Sequence, residues 1–173
     1  NLHHNTDTTS LPQDILIIKD QHITQLFAKY GIVDVVVIST PCQDLSSANT
    51  SGTGLEGSES KLLWDALRIL DIVKTLNPKV KYIIENVWFE EKFPLAYAAV
   101  CKHIGHEPLA WDARECSAAN RKRYFWTNIE HERPEPQPLD ANSFIEGGGR
   151  LANNRTTAPC IMASHRCEIC KTR

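Results

Sequence analysis

A short run of β-branched residues, Val33 to Ile38, most constrains how this chain can fold. An almost uninterrupted run of this kind is typical of a strand that is buried on both faces of a parallel sheet. The run stops at Ser39-Thr40-Pro41-Cys42, where a loop must begin. Residues 44 to 60 are mostly Ser, Asn, Thr, Gly and Glu, which predicts a long mobile surface loop that can carry function.

The residues after this loop alternate between helical and strand patterns. Apolar residues at helical spacing between Leu62 and Leu76 predict an amphipathic helix that ends at Asn77-Pro78, and Val80 to Ile84 predicts the next strand. Because a strand, a helix and a strand follow one another, the two strands are expected to be parallel and the fold to be α/β. The other predicted elements are strands at 15–18, 109–111 and 123–127 and helices at 21–30 and 94–104.

Length and composition fit one ordinary domain or a large piece of a bigger protein. The chain has 173 residues, of which 42% are hydrophobic and 23% charged, so a buried core is expected. Its net charge of -2 means that any site for a polyanion must be local. There is no run of about 20 apolar residues and no signal peptide at the start, so we predict an intracellular protein, nuclear in a eukaryote and cytoplasmic in a bacterium or phage.

The character of the sequence changes after Glu130. Residues 133–138 contain three prolines and predict a stiff extended segment, whereas Gly147-Gly148-Gly149 predicts a flexible one. We therefore predict a core over residues 1–130 and a linker with a separate lobe or arm over residues 131–173.

Two reactive residue types follow consecutive predicted strands. Cys42 and Glu85 would lie at the carboxyl ends of parallel strands, where open α/β sheets keep their active sites, so both are expected to face one cleft. A cysteine can act as a nucleophile and a nearby carboxyl group can move a proton. The alternative is that Cys42 is an inert thiol of the core.

Three motifs in order resemble the DNA (cytosine-5)-methyltransferases, and the animal de novo DNA methyltransferases most closely. The motifs are Pro41-Cys42-Gln43-Asp44-Leu45-Ser46, Glu85-Asn86-Val87 and Arg121-Lys122-Arg123-Tyr124-Phe125-Trp126, with Ser117-Ala118-Ala119 before the arginine pair. The resemblance implies a Rossmann-like, S-adenosylmethionine-dependent methyltransferase fold with a mainly parallel sheet. It also implies transfer of a methyl group from S-adenosylmethionine to carbon 5 of a flipped cytosine in DNA, through a covalent cysteine adduct.

The resemblance implies catalytic roles for five residues. The Cys42 thiolate would add to carbon 6 of cytosine, and Glu85, oriented by Asn86, would hold the N3 edge and supply a proton there. Arg121 and Arg123 would bind the base carbonyl or a nearby phosphate, because a guanidinium offers paired donors to such oxygens. The alternative for the two arginines is a solvated strand edge.

The resemblance also implies cofactor and DNA contacts. Asp20, at a predicted strand end, would contact the cofactor adenine, although an Asp there can equally be a turn residue or a helix cap. Pro41 would also lie against the cofactor. The residues that would contact DNA are Ser46 and Asn49 in the long loop and Arg155, Thr156 and Thr157 at the start of the target-recognition region, with Asn154 and Arg166 as further guesses.

Some family features have no counterpart in this sequence. The glycine-rich turn that forms the floor of the S-adenosylmethionine site and the closing motif are both missing, so the chain looks like the incomplete, middle part of a methyltransferase. A second polypeptide or a missing segment would then supply the glycine motif. Family members often carry an Arg-Gly or Gly-Arg pair where this sequence has Glu59-Ser60-Lys61. The resemblance therefore does not imply the family's phosphate contacts for this loop.

Three other interpretations stay open at this point. The chain could be a catalytically inactive, methyltransferase-like regulatory partner, or a transfer-RNA cytosine-5 methyltransferase with the same fold and cysteine. Cys167 and Cys170, with Cys160 and His165 nearby, form half of a zinc-site pattern, so a zinc-binding module is the weakest alternative. The spacing of the six cysteines favours thiols over a disulfide framework.

Overall fold

The computed structural model describes residues 11–12, 14–46, 51–57, 60–133, 135–145 and 156–159. The chain divides into two compact units. The first comprises Asn1–Pro108 and Phe125–Ile129, and the second comprises Leu109–Tyr124 and Glu130–Arg173.

Helices and strands alternate through most of the described chain, which gives a mixed α/β fold. The helices are α1 (Asp20–Tyr30), α2 (Leu62–Leu76) and α3 (Pro94–Ile104), and short 3-10 helices cover Ile15–Ile17, Gly54–Glu56, Ala113–Glu115 and Ala141–Phe144. The strands are β1 (Val35–Ser39), β2 (Lys81–Val87), β3 (Leu109–Asp112), β4 (Ala119–Asn120), β5 (Lys122–Thr127) and β6 (Ala158–Pro159).

The first unit contains a parallel strand pair that positions the candidate site. β1 pairs with β2 in parallel, in a register that starts with Val35 opposite Lys81 and ends with Ser39 opposite Glu85. This confirms the parallel arrangement predicted from the strand, helix, strand order. Within the same unit the second half of β5 lies on the other side of β2. There the Tyr82 amide donates to Asn128 Oδ1 at 2.9 Å.

The second unit contains the remaining strands. β3 is the neighbour of β5 in the strand order, and β4 pairs with β6 in parallel, with Ala119 opposite Ala158. Arg133, in the segment after β5, forms an ion pair with Glu115 of the same unit at 2.6 Å.

The core of the first unit lies between the sheet and the helices. α2 buries Leu63, Leu67 and Leu70, each at most 1% exposed, because apolar residues recur on one side of the helix. Ile84 of β2 and Trp126 of β5 are fully buried. Full burial of one such side chain contributes about 1.5–3 kcal/mol, so α2 is held mainly by this face.

Local end signals fix the helices. α3 begins at Pro94, whose missing N–H costs nothing in a first turn, and ends at Ile104, where Gly105 caps it with a left-handed φ of 97°. The predictions of helices over 94–104 and 62–76 are confirmed, and the helix predicted over 21–30 begins one residue earlier. The strand predicted over 80–84 continues to Val87, so Glu85 and Asn86 belong to the strand itself.

The strand predicted over residues 15–18 is wrong, because Ile15–Ile17 form a 3-10 helix. Asp14 caps it: its Oδ1 accepts a hydrogen bond from the Leu16 amide at 2.9 Å, and its carbonyl accepts one from Ile17 at 3.2 Å. A side chain that bonds its own local backbone competes with strand pairing. Asp20 therefore begins α1 and does not end a strand.

The prediction that the run 33–38 is buried on both faces is also wrong. Val35 is 54% and Val37 70% exposed, whereas Ile38 is 7% exposed. In the described part of the sheet β1 is the edge strand. Exposure alternates along it, so one face packs inward at Ile38 and the other, with Val35 and Val37, is exposed. In the described residues, no helix is long and apolar enough to cross a membrane.

Candidate active site

Cys42 lies in a tight turn that follows β1. Its carbonyl accepts hydrogen bonds from the Leu45 amide at 3.1 Å and the Ser46 amide at 2.9 Å. The Leu45 side chain is fully buried and anchors the turn, while Cys42 itself is half-buried and its thiol is not in a disulfide. The turn therefore holds a reduced thiol, part-exposed to solvent, next to the carboxyl end of β1.

Glu85 lies on the neighbouring strand and is held by a hydroxyl. Ser39, its register partner on β1, donates from Oγ to Glu85 Oε2 at 2.6 Å. Glu85 is half-buried, so its carboxyl group is still reached by water. The parallel register thus brings Glu85 beside the strand end that leads into the Cys42 turn. Sequence reasoning missed Ser39, although a hydroxyl residue that closes an apolar strand run is a usable signal.

Asn86 is fixed by two contacts. Its side chain is only 1% exposed, its Oδ1 accepts from the Val87 amide at 2.8 Å, and its Nδ2 donates to Thr40 Oγ1 across a long 3.5 Å. Buried amides need such partners, since an unsatisfied one destabilises the fold. The structure therefore groups Glu85 and Asn86 with the hydroxyls of Ser39 and Thr40 at one end of the strand pair.

Asp44 organises the described part of the long loop. Its Oδ2 accepts from the Ser60 amide and its carbonyl from the Gly54 amide, both at 3.3 Å. Gly52 and Gly57 pack so closely on Asp44 that a Cβ atom at either position would overlap it. The mobility predicted for residues 44–60 stays a prediction, and sequence reasoning missed the packing of these two glycines on Asp44.

Gly57→Ala is expected to destabilise the loop, because the new methyl group would overlap the Asp44 carboxylate. We expect the free energy of unfolding to fall by roughly 1–3 kcal/mol. Thermal or urea unfolding measures this, with Thr53→Ala as the control, because Thr53 is exposed in the same loop and the change adds no atoms. A Gly57→Ala protein as stable as Thr53→Ala would contradict the packing role.

The other described thiols differ from Cys42. Cys101 is 7% exposed and donates to Glu107 Oε2 at 3.3 Å, and burial raises the pKa of its thiol. The pKa of Glu107 is lowered because Tyr97 and Cys101 donate hydrogen bonds to its carboxylate. Cys101 is therefore a poor nucleophile. Cys116 is exposed but belongs to the second unit.

A cation that sequence reasoning did not single out lies against the loop. Lys92 donates from Nζ to the Ser46 carbonyl at 3.4 Å and lies 5.0 Å from the centre of the Phe93 ring. A cavity of about 520 Å³ is lined by residues of this region, among them Gly54, Trp64 and Phe93. Lys92 places positive charge next to the loop residue predicted to contact DNA.

Asp20 is the first residue of α1 and follows the N-cap residue Lys19, so it is neither a strand end nor the helix cap itself. Its carboxylate forms an ion pair with Arg68, Oδ1 to Nη1 at 3.1 Å, and its side chain is 76% exposed. An exposed carboxylate can accept a hydrogen bond from an exocyclic amino group, so Asp20 fits one contact to adenine. Pro41 lies between Thr40 and the Cys42 turn.

The second unit contains the two predicted arginines. The Arg121 carbonyl accepts from the Ala113 amide at 2.9 Å, and Arg123 donates from Nη1 to the Lys122 carbonyl at 2.7 Å. The Thr156 carbonyl accepts from the Ala141 amide at 2.7 Å, and Thr157 follows at a half-buried position. These hydrogen bonds are all within the protein. They do not test the contacts with DNA that were predicted for these residues, which stay predictions.

Several predicted residues lie outside the described ranges: Asn49, Asn154, Arg155, Cys160, His165, Arg166, Cys167 and Cys170. Among the residues that the structure does describe, no group of three or more His, Cys, Asp or Glu could hold a metal ion. Zinc binding by Cys167 and Cys170 stays a prediction.

Comparison with known proteins bears on the same segment of the chain. Residues 5–89 match the model of the C-5 cytosine-specific DNA methylase family, and this segment contains Cys42, Glu85 and Asn86. The chain is 39% identical over 62 residues to the DNA (cytosine-5)-methyltransferase DRM2 of Arabidopsis thaliana, a stretch that covers 35% of this chain. The match spans about 10% of that relative's length. A closest likeness to the animal de novo enzymes stays a prediction. Residues 5–89 are therefore similar to the C-5 cytosine-specific DNA methylase family.

Proposed function

We propose that this protein transfers a methyl group from S-adenosylmethionine to carbon 5 of cytosine in DNA. The observation that carries the proposal is the parallel register of β1 and β2, which sets Ser39 opposite Glu85 and so brings the Cys42 turn and the Glu85-Asn86 pair to one end of two neighbouring strands. The match of residues 5–89 to the model of the C-5 cytosine-specific DNA methylase family supports the same chemistry. Because the chain matches only part of a longer relative, the proposal concerns the activity to which this segment contributes.

Cys42 acts as the nucleophile in this proposal. Its sulfur electron pair forms a bond to carbon 6 of cytosine, and the electrons of the bond between carbons 5 and 6 move towards carbon 5, which becomes nucleophilic. S-adenosylmethionine, when bound, supplies the electrophilic methyl carbon. Loss of the proton from carbon 5 to a base, departure of the Cys42 sulfur from carbon 6 and return of the N3 proton to Glu85 then restore the aromatic ring, the thiolate and the acid.

Glu85 acts as the acid at N3 of the base. Addition of sulfur to carbon 6 places negative charge on the ring, and a proton given to N3 relieves it. Asn86 is buried and is held by the Thr40 hydroxyl and the Val87 amide, so it keeps the end of β2 in place. Both residues contribute to the site from a rigid strand.

The remaining DNA contacts are assigned from the resemblance and from charge. Arg121 and Arg123 bind the base carbonyl or a nearby phosphate, and Thr156, Thr157 and Arg155 open the target-recognition region. Ser46 and Asn49 contact DNA from the loop that closes over the flipped nucleotide. Lys92, which contacts the Ser46 carbonyl, adds a positive charge for a phosphate.

The S-adenosylmethionine site requires residues beyond Asp20 and Pro41, above all a glycine motif. Asp20 accepts a hydrogen bond from the adenine amino group and Pro41 lies against the cofactor. A second polypeptide or a further segment supplies the glycine motif and covers the exposed face of β1, where Val35 and Val37 are 54% and 70% exposed. The whole is then a Rossmann-like fold with a mainly parallel sheet, with residues 1–130 in the core and 131–173 in the recognition arm. In a eukaryote it acts in the nucleus.

Covalent capture tests the proposal. The protein is incubated with S-adenosylmethionine and a DNA duplex that contains 5-fluorocytosine, alone and with the complementing polypeptide. Fluorine at carbon 5 cannot leave as the proton does, so the adduct persists after denaturation. We expect a denaturation-resistant adduct, with peptide mapping placing it on Cys42, and none with Cys42→Ala.

Each outcome of the capture experiment is informative. An adduct that forms on DNA but not on the same sequence as RNA supports the DNA substrate, and the reverse favours the transfer-RNA enzyme. If no mixture gives an adduct although DNA is bound, the catalytic proposal is wrong, and a non-catalytic regulatory partner becomes the better interpretation.

A further inference from the structure

The hydrogen bond between Ser39 and Glu85 joins residues that are 46 positions apart in the chain. Its 2.6 Å length is at the short end of the range for a hydroxyl that donates to a carboxyl oxygen. It exists because the parallel register sets these two residues directly opposite each other. Ser39 therefore contacts Glu85, the carboxyl group that transfers a proton in the proposed mechanism.

Packing does not explain Ser39. The residue is exposed, whereas the neighbouring Ile38 is 7% exposed and carries the inward packing of β1. The rest of the strand is Val-Val-Val-Ile, and serine fits a strand less well than these β-branched residues. A serine at this place adds little to the core, and its hydroxyl is the group that contacts Glu85.

We propose that Ser39 is a positioning residue for Glu85, an inference that rests on the proposed methyl transfer. A carboxyl group turns about a soft, two-fold torsion, so its two oxygens exchange places easily. The Ser39 hydroxyl engages Oε2 and makes the two oxygens unequal, which keeps Oε2 as an acceptor and assigns the proton to Oε1. The proton is then presented to the base in one direction.

Removal of the hydroxyl tests this role through the rate of the chemical step. With Ser39→Ala we expect the single-turnover rate of methyl transfer to fall about tenfold, part of what a positioned acid contributes, while the affinity for DNA changes less than about twofold. Ser39→Thr keeps a hydroxyl on a β-branched side chain and is expected to restore the rate. Thr75→Ala is the matched control, because it deletes an exposed, hydrogen-bonded hydroxyl that belongs to α2 and not to the β1–β2 strand pair.

Two further readouts separate positioning from a merely structural role. In a Glu85→Gln background, Ser39→Ala should cause no further loss, because the two residues act as a unit. The carboxyl ¹³C resonance of Glu85 should move with Ser39→Ala, return with Ser39→Thr and stay in place with Thr75→Ala. Additive losses in the double variant, or an unmoved resonance, would overturn the proposal.

The failure of this inference is distinguishable from that of the proposed function. An active protein whose rate is unchanged by Ser39→Ala removes the positioning role and leaves methyl transfer intact. A protein that transfers no methyl group and traps no 5-fluorocytosine adduct removes both, even if the Glu85 resonance responds to Ser39.

Discussion

Cys42→Ala is expected to abolish methyl transfer while DNA binding stays close to that of the wild type. The alanine side chain has no electron pair to add to carbon 6, so carbon 5 is never activated, and we expect a loss of at least about 10⁴-fold, as for other nucleophile deletions. Transfer of labelled methyl groups to a cytosine-containing duplex measures the rate, and a binding titration at fixed salt measures the affinity.

The matched control for this variant is Cys116→Ala. Cys116 is an exposed thiol of the second unit and has no role in the proposed mechanism, so its removal should leave the rate unchanged. Loss of DNA binding by Cys42→Ala with the fold intact would contradict a purely nucleophilic role. Retention of methyl transfer would exclude Cys42 as the nucleophile.

Glu85→Gln should slow methyl transfer by about 10²–10⁴-fold, the usual contribution of a positioned acid. Glutamine has the same shape and its carbonyl oxygen can still accept from Ser39, but it cannot give a carboxyl proton to N3. Because the strand pair is preserved, we expect normal unfolding and normal DNA affinity. The rate under single-turnover conditions separates the chemical step from product release.

Glu91→Gln serves as the control for Glu85→Gln, because Glu91 is exposed and lies six residues beyond Glu85, after the end of β2. It removes the same charge without touching the strand pair. A normal rate with Glu85→Gln would remove this carboxyl group from the mechanism, and an equal loss with both variants would point to net charge instead.

The sequence predicted a feature correctly where neighbouring residues in the chain determine it, and less well where residues distant in the chain determine it. The bounds of α3 follow from Pro94 and Gly105, which act through their own backbone, and these bounds were predicted correctly. The segment 15–18 was misread because Asp14 caps a 3-10 turn there. The run 33–38 identified a strand, but burial depends on what covers each face, and a run of valines contains no such information.

The candidate site shows the same limit. Sequence motifs are enough to select Cys42, Glu85 and Asn86 as candidates, because a motif consists of the residue types that the chemistry needs. The Ser39 contact with Glu85 depends on strand register across 46 residues, which periodicity does not reveal. The close packing of Gly57 on Asp44 was equally hidden, because a glycine in a loop looks the same whether it allows motion or makes room.

The uncovered face of β1 also affects how the protein behaves in solution. An exposed edge strand with β-branched side chains is a template on which any other extended chain can add, including a second copy of the same strand. Ile32, at 69% exposure, extends this apolar surface beyond the strand. The chain prepared by itself should therefore self-associate as its concentration rises.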